Sequence, residues 1–181
     1  AKALLPVDEA RARILDGLVP GGTERCALAD AIGRVLASDV ASRLSLPPEA
    51  VSAMDGYAAR SCDCQTIGTT RTRIGESAAG RPWDGSLAAG ETVRIFTGAV
   101  VPDGADCIIL QEDVDADSEN DGAPITIKEV PGSGQFIRPA GLDVTAGHIV
   151  LTAGTTMSAR LISLAPSAGH TGVSVWPPPH S

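Results

Sequence analysis

Apolar positions near the start of the chain recur at the spacing of one helix face. In LLPVDEARARILDGL, residues 4–18, that face carries Val7, Ala10, Ile14, Leu15 and Leu18. Pro6 and the two acidic residues that follow Val7 suit the first turn of a helix, and Pro-Gly-Gly at 20–22 ends it. The pattern predicts a short amphipathic helix whose apolar face must pack against another apolar surface.

The segments on either side of the middle of the chain also predict helices and strands. ERCAL, residues 24–28, is typical of a brief strand, and Asp30 is placed to cap a helical turn through AIGRVLA, residues 31–37. Near the other end, Ser158 and Gly169 are placed as the N-cap and C-cap of a second helix. Its apolar face comprises Met157, Leu161, Ile162, Leu164 and Ala165, and TGVSVW, residues 171–176, then predicts a strand.

Between these ends the chain has no helical period and predicts short strands separated by turn residues. The candidates are GYAAR at 56–60, TRTRIGES at 70–77, ETVRIFTG at 91–98, DCIILQE at 106–112 and PITIKEV at 124–130. The acidic run 112–123 is interpreted as a hairpin tip. A calcium loop is disfavoured there because Ser118 stands where such a loop needs glycine.

These elements predict a mixed α/β fold of the α+β kind with two parts. A β-rich, barrel-like domain, residues 44–143, is inserted into a small elongated helix-and-strand domain formed by residues 1–43 and 144–181. The chain has 20 glycines and 13 prolines in 181 residues, which fits many turns and short elements and argues against a bundle of long helices.

Charge and apolar content exclude two classes of partner. The net charge is −8 and only 3% of residues are aromatic, so a groove for nucleic acid is not expected. No apolar run approaches the ~20 residues that span a bilayer, and we expect no signal peptide in AKALLPVDEAR, because it turns acidic where an apolar stretch would be needed. We expect a cytoplasmic protein with no membrane contact.

The four cysteines are Cys26, Cys62, Cys64 and Cys107. An even count does not establish disulfides in a chain of this class, and we interpret all four as reduced thiols. Cys62 and Cys64 form a C-x-C pair, but a zinc site needs a second pair of ligands at suitable spacing. Cys107 lies in the apolar stretch ADCIIL and is expected to be a buried small hydrophobe. Metal binding through sulfur is therefore disfavoured, and the residues leave the metal ligands unknown.

Two loops carry candidate chemistry, although common nucleotide-binding and hydrolase motifs are absent from the sequence. In PPEAVSAMDGYAAR, residues 47–60, Asp55 lies at an Asp-Gly bend near Ser52, and its carboxylate either bonds the local backbone or faces a ligand. In the second loop, Thr97 and Gly98 end a strand. Their hydroxyl and N–H groups could hold an anion, but the same pattern occurs in ordinary turns.

Three blocks in the same order resemble the MoeA/gephyrin family of molybdopterin molybdenumtransferases. Pro47–Ala58 is similar to the family pattern P-x-x-x-x-S-A-M-D-G-Y-A, and Thr97–Glu112 to T-G-A-x-x-P-x-G-A-D-x-x-x-x-x-E. FIRPAGLDVTAG, residues 136–147, is similar to R-x-x-G-E-D-x-x-x-G. The start LLPVDEAR, the closing helix and the GVSVW strand also look like the family, so the resemblance extends over essentially the whole chain.

The resemblance implies a function in molybdenum cofactor biosynthesis. Family members insert molybdenum from molybdate into adenylylated molybdopterin, release AMP and use a divalent cation, expected to be Mg²⁺. The resemblance also implies a homodimer. It assigns catalytic roles to Asp55 and Thr97, and substrate contacts to Ser52, Gly98, Glu112, Arg138 and Asp143. Arg138 and Asp143 contact either an anionic substrate or each other.

The chain departs from the family pattern in two places. Leu142 replaces a carboxylate beside Asp143, and Ala50 and Val51 replace a typical Asp-Asn pair before Ser52. The chain also ends near where family members begin a separate domain that binds most of the pterin. We therefore expect a piece of a longer enzyme that lacks turnover by itself. The alternative is a non-catalytic interaction or dimerisation module that retains the fold.

Overall fold

The computed structural model describes residues 5–17, 21–116, 118 and 120–178. Its helices are α1 (Val7–Leu15), α2 (Ala159–Ile162) and α3 (Leu164–Ser167). Its strands are β1 (Glu24–Ala27), β2 (Val40–Ala41), β3 (Val51–Ser52), β4 (Gly56–Ala59), β5 (Thr70–Ser77), β6 (Glu91–Ile95), β7 (Cys107–Leu110), β8 (Val114–Ala116), β9 (Pro124–Ile127), β10 (Ile137–Arg138), β11 (Ile149–Leu151) and β12 (Gly172–Val175). Single 3₁₀ turns cover Leu28–Asp30, Ser61–Asp63 and Gln111–Asp113.

The chain divides into two compact units. The terminal unit comprises Ala1–Arg43 and Gly147–Ser181, and the central unit comprises Leu44–Ala146. Sequence analysis placed the second boundary after residue 143. No helix in the described ranges is long and apolar enough to cross a bilayer.

The terminal unit is built on two antiparallel strand pairs, β1 with β12 and β2 with β11. Its core is apolar and draws on both ends of the chain. The buried members are Cys26, Ala31, Leu36, Val40, Leu151, Met157, Ala165, Val173 and Val175. The predicted strands at residues 24–28 and 171–176 are confirmed as β1 and β12.

The predicted helical turn over residues 31–37 is wrong. Asp30 ends a 3₁₀ turn instead of capping a helix, and Gly33 follows with a φ of +77°, which terminates helical backbone. A helix would place Ile32 and Leu36 on the same face. In the structure Leu36 is fully buried and bridges to β12, whereas Ile32 is 61% exposed.

The predicted first helix is confirmed as α1, but it is shorter than expected. It ends at Leu15 and does not extend to the Pro-Gly-Gly at 20–22, and Leu18 lies outside the described residues. None of its residues is buried within the chain. Val7 is 82% exposed and Ile14 is 73% exposed, so the apolar face predicted from the sequence is open to solvent here.

The predicted closing helix is interrupted at Ser163 and forms α2 and α3. Ser158 is confirmed as the N-cap, because its Oγ accepts the N–H three residues later at 3.3 Å. Pro166 has no N–H to continue the ladder of a single helix. Ala168 is the C-cap, and Gly169, predicted for that position, follows with a φ of +82°.

The central unit contains a six-stranded sheet in the order β7-β4-β6-β5-β9-β8, curled into half of a barrel. β5 and β6 are parallel, and the other neighbouring strands are antiparallel. All five strands predicted from the middle of the chain are confirmed as β4, β5, β6, β7 and β9. The predicted mixed α/β fold is therefore confirmed.

Strand β4 lies at the centre of this unit's packing, because both of its faces are covered. Tyr57 and Ala59 pack in one apolar cluster, whereas Ala58 packs in another with Ile95 and Ile108. Alternate residues of a strand point to opposite faces of the sheet, so the two clusters lie on either side of it. All four residues of β4 are buried as a result.

Sequence analysis missed several strands that are too short or too polar to show a period. β3 pairs with β10, and each has two residues. The acidic run 112–123 is more than a hairpin tip, because Val114–Ala116 within it forms β8 against β9.

Candidate functional site

Asp55 and Thr97 meet at one end of the six-stranded sheet. β4 and β6 are antiparallel neighbours with Gly56 opposite Ile95, so the residue before β4 and the residues after β6 lie at the same end. The Oδ1 atom of Asp55 accepts hydrogen bonds from both the N–H and the hydroxyl of Thr97, each at 2.7 Å. Both side chains are exposed to solvent.

Gly56 is required at the start of β4 because the backbone of β7 passes close to it. A Cβ at this position would overlap the carbonyl oxygen of Ile109. Asp55 therefore lies in a bend that passes directly into a tightly paired strand, and its own carbonyl accepts the N–H of Gln111 at 3.3 Å. This pairing fixes the backbone that carries the carboxylate.

Ser52 and Gly98 join the two loops through their backbones. Gly98 donates its N–H to the Ser52 carbonyl at 2.8 Å, and Ser52 donates its N–H to the Ala99 carbonyl at 2.9 Å. The Gly98 N–H, proposed as an anion donor, is thus engaged within the protein. The Ser52 side chain is buried and bonds Met54 of its own loop, so it positions the loop rather than facing solvent.

The third sequence block reaches the same place through β10. Ile137 pairs with Ser52 in the β3–β10 ladder, and the Phe136 carbonyl accepts the N–H of Ala53 at 2.8 Å. Phe136 has a φ of +57°, an uncommon conformation for a residue other than glycine. β3 therefore holds all three sequence blocks together.

Arg138 and Asp143 contact each other. One guanidinium nitrogen of Arg138 lies 2.9 and 2.8 Å from the two Asp143 oxygens. Of the two alternatives for this pair, the structure shows the internal ion pair. Leu142, which replaces a family carboxylate beside it, is 54% exposed.

Glu112 is exposed on the 3₁₀ turn after β7 and has no hydrogen bond or ion pair to the residues that the structure describes. The neighbouring Gln111 connects to the site instead, because its Oε1 accepts a bond from Arg94 at 2.7 Å. The structure does not bring Glu112 into contact with Asp55 or Thr97.

Arg94 was not predicted as a site residue, although it contacts residues next to Asp55 and Thr97. Its guanidinium stacks 5.1 Å from the Tyr57 ring centre and 4.8 Å from that of Phe96, and it donates to the Gly56 carbonyl at 3.0 Å. Arg94 is one polar residue in an alternating strand, so its sequence position alone carried no signal. Its rings and acceptors come from three different segments.

Electrostatics favour the ionised form of Asp55. The backbone N–H of Thr97 and then its hydroxyl lower the pKa of the Asp55 carboxyl below its usual 3.8, against the opposing effect of desolvation, and the Arg94 charge adds to the lowering. The second oxygen, Oδ2, accepts no hydrogen bond from the described residues. Asp55 is thus an oriented carboxylate with one oxygen free for a ligand.

The described part of the chain contains no group of three or more His, Cys, Asp or Glu side chains able to enclose a metal ion. Mg²⁺ does not require such a group, since it commonly binds one or two carboxylates together with waters and substrate phosphates. The free oxygen of Asp55 fits that mode.

All four cysteines are free thiols, and only Cys62 among them is exposed. Burial, as the main cause, raises the pKa of the Cys107 thiol to about 12, which makes it an unreactive core residue as predicted. Burial also raises the pKa of Cys64. These thiols contribute no chemistry to the site.

Comparison with known proteins places this chain in a family. Residues 5–169 match the family model described as "MoeA N-terminal region (domain I and II)". The chain is 38% identical over 167 residues to a molybdopterin molybdenumtransferase of Haemophilus influenzae, covering 92% of this chain and 40% of the relative. A Bacillus subtilis protein of the same name is 33% identical over 177 residues, covering 94% of this chain and 41% of the relative.

Solved structures agree with the sequence relatives. The crystal structure of a molybdopterin biosynthesis MoeA protein from Pyrococcus horikoshii superimposes with a TM-score of 0.84 at 31% identity, over 96% of this chain and 46% of that one. This chain therefore spans less than half the length of the relatives it matches. Because the family model extends over most of the chain, we conclude that the chain belongs to the MoeA family and corresponds to its N-terminal region, domains I and II.

Proposed function

We propose that the polypeptide carrying this chain inserts molybdenum from molybdate into adenylylated molybdopterin, with release of AMP. The names of the relatives support a role in molybdenum cofactor biosynthesis. The observation that carries the proposal is the Asp55 carboxylate, held by two hydrogen bonds from Thr97 with its second oxygen free.

In this proposal Asp55 is the residue that orients the reacting groups. Its bonds to Thr97 fix one oxygen before any ligand arrives, so the other needs no rearrangement to bind. Asp55 would hold Mg²⁺ through that oxygen, and the bound cation would neutralise charge on the phosphate oxygens of the substrate. Thr97 keeps the carboxylate ionised and in place.

The remaining candidates are proposed to act around this pair. Ser52 and Gly98 support the two loops through their backbone bonds. Arg138 and Asp143 are proposed to contact substrate, which requires their ion pair to open, and the exposed Glu112 is free to do so without rearrangement.

We also propose that the chain forms a homodimer in the cytoplasm and lacks turnover in the absence of further domains. The exposed apolar face of α1 supports a dimer, because such surfaces are usually covered. The four free thiols are consistent with a reducing compartment. The chain spans 40% of a transferase relative, so most of that protein has no counterpart here.

The test is Asp55→Asn in the complete gene, introduced into a bacterium that lacks its own molybdopterin molybdenumtransferase. We expect loss of molybdoenzyme activity with unchanged protein level, because the amide cannot supply a charged ligand. Asp103→Asn is the matched control, since Asp103 is exposed and its side chain has no described hydrogen bond.

Wild-type molybdoenzyme activity in the Asp55→Asn strain would overturn the role of Asp55. If the unaltered complete gene failed to restore molybdoenzyme activity, the interaction-module alternative would replace the enzyme proposal.

A further inference from the structure

The terminal unit contains a polar cavity, and none of the site residues described above lines it. It has a volume of about 190 Å³ and is formed by β1, β12 and the segment around β2. The polar residues that line it are Arg25, Ser38, Asp39, Arg43, His170 and Ser174.

The β1–β12 ladder positions the first arginine. Arg25 lies opposite Ser174, and two pairs further along the ladder Gly172 lies opposite Ala27. A Cβ at Gly172 would lie 2.7 Å from the Cys26 carbonyl oxygen and 3.6 Å from the Nε of Arg25. Glycine is therefore required at 172 by the close approach of the Cys26 carbonyl, and the Arg25 guanidinium lies beside this point of the ladder.

Hydrogen bonds from the α3–β12 connection position the second arginine. The Arg43 N–H donates to the Ala168 carbonyl at 2.9 Å. Two residues earlier, the Ala41 carbonyl accepts from His170 Nε2 at 2.7 Å, since a carbonyl can only accept. These two bonds fix the backbone of residues 41–43, which carries the Arg43 side chain.

Six arginines among the described residues have a carboxylate partner. They are Arg13, Arg34, Arg60, Arg73, Arg81 and Arg138. Within the described residues, Arg25 and Arg43 make no ion pair, although the chain has 22 acidic residues against 14 basic ones.

Asp39 is the one carboxylate in the lining, and its oxygen is directed to the backbone. Its Oδ1 accepts the Ala153 N–H at 2.7 Å. With two arginines against this single carboxylate, the lining keeps a net positive charge in a protein whose total is −8.

We propose that this cavity binds a small tetrahedral oxyanion between Arg25 and Arg43. A guanidinium offers paired N–H donors that match such oxygens, and the hydroxyls of Ser38 and Ser174 can supply further donors. A volume of about six waters, at ~30 Å³ each, suits an inorganic ion or a single phosphate group rather than a peptide. This proposal does not depend on the reaction proposed above.

The experiment is calorimetric titration of the 181-residue chain with phosphate, sulfate and molybdate in turn, at matched ionic strength in chloride. We expect saturable binding at one site per chain. Arg25→Gln and Arg43→Gln should each weaken it at least about tenfold, because each removes a charged hydrogen-bond donor. Arg11→Gln is the control for charge, as it removes the same charge from exposed α1. Asp55→Asn is the control for the site above, and it should leave oxyanion binding in this cavity unchanged.

Several results would overturn the proposal: no saturation up to about 10 mM of any of the three ions, equal weakening by Arg11→Gln, or equal affinity for acetate. Thermal unfolding of the variants shows whether they are folded. Arg25→Lys is a more conservative variant, because it keeps the charge and removes only the paired donors. Preference for molybdate would identify the ion as the one in the proposed reaction, whereas preference for phosphate would identify a phosphate compound.

Discussion

The Asp55 carboxylate owes its low pKa to a residue 42 positions away in the sequence. Because the pKa of folded Asp55 lies below its unfolded value near 3.9, ionised Asp55 contributes stability above about pH 4. That contribution is lost as the pH falls through the folded pKa. Acid should therefore loosen the contact between the two loops as the Asp55 carboxylate becomes protonated.

Thr97→Val tests this coupling directly. The change removes the hydroxyl donor and keeps the backbone N–H, which has the larger effect, so the pKa of Asp55 should rise part of the way towards 3.8. The readout is the ¹³C shift of the Asp55 carboxyl against pH, with Thr126→Val as a control in β9. An unchanged Asp55 titration would contradict the coupling.

Single residues differ in how far the sequence could predict them. The Asp-Gly bend and the strand end made Asp55 and Thr97 candidates, because both patterns depend on neighbouring residues. Arg94 could not be predicted, since its partners Tyr57 and Gln111 come from other strands and turns.

At the scale of elements, alternation of apolar and polar residues predicted the long strands and failed for short segments. Residues 31–37 carry a helical apolar pattern, yet Gly33 and the pairing of Leu36 with β12 override it. β3 and β10 are two residues each, too short for any period, and they join the three sequence blocks. Tertiary hydrogen bonding, rather than local preference, forms such elements.

Helix α1 provides a test of the proposed dimer. Ile14→Glu places a charge on the exposed apolar face shared with Val7, so it should convert a dimer into a monomer. Light scattering at micromolar concentration should give twice the 18.4 kDa chain mass for the unaltered protein. Ala12→Glu, on the opposite side of α1, should leave the mass unchanged. A monomeric unaltered protein would contradict the dimer.

At the scale of the whole molecule, the two ends of the central unit lie side by side. The Leu46 N–H bonds the Val144 carbonyl at 2.8 Å, and the Ala146 N–H bonds the Ser45 hydroxyl at 3.1 Å. The two apolar clusters and the six-stranded sheet are formed entirely by residues of this unit. An inserted unit with adjacent ends can usually fold when cut out.

We therefore expect residues 44–146 alone to fold. The isolated segment should show dispersed amide resonances and cooperative unfolding in urea, with a slope of about 1–3 kcal/mol/M for its size. The matching experiment joins residue 43 to 147 through a short Gly-Ser linker, and the remaining chain should also fold. A disordered 44–146 segment beside a folded full-length chain would show that the unit depends on the rest of the protein.

The sequence by itself determined the class of the fold, five of the six strands of the central sheet and the two loops that hold Asp55 and Thr97. These features depend on periodicity, turn residues and motifs, all of which are local. The tertiary structure alone decided that Thr97 donates to Asp55, that Arg138 binds Asp143, and that Arg25 and Arg43 line one cavity without carboxylate partners. Each of these contacts depends on strand register and loop closure, which patterns of neighbouring residues in the sequence do not specify.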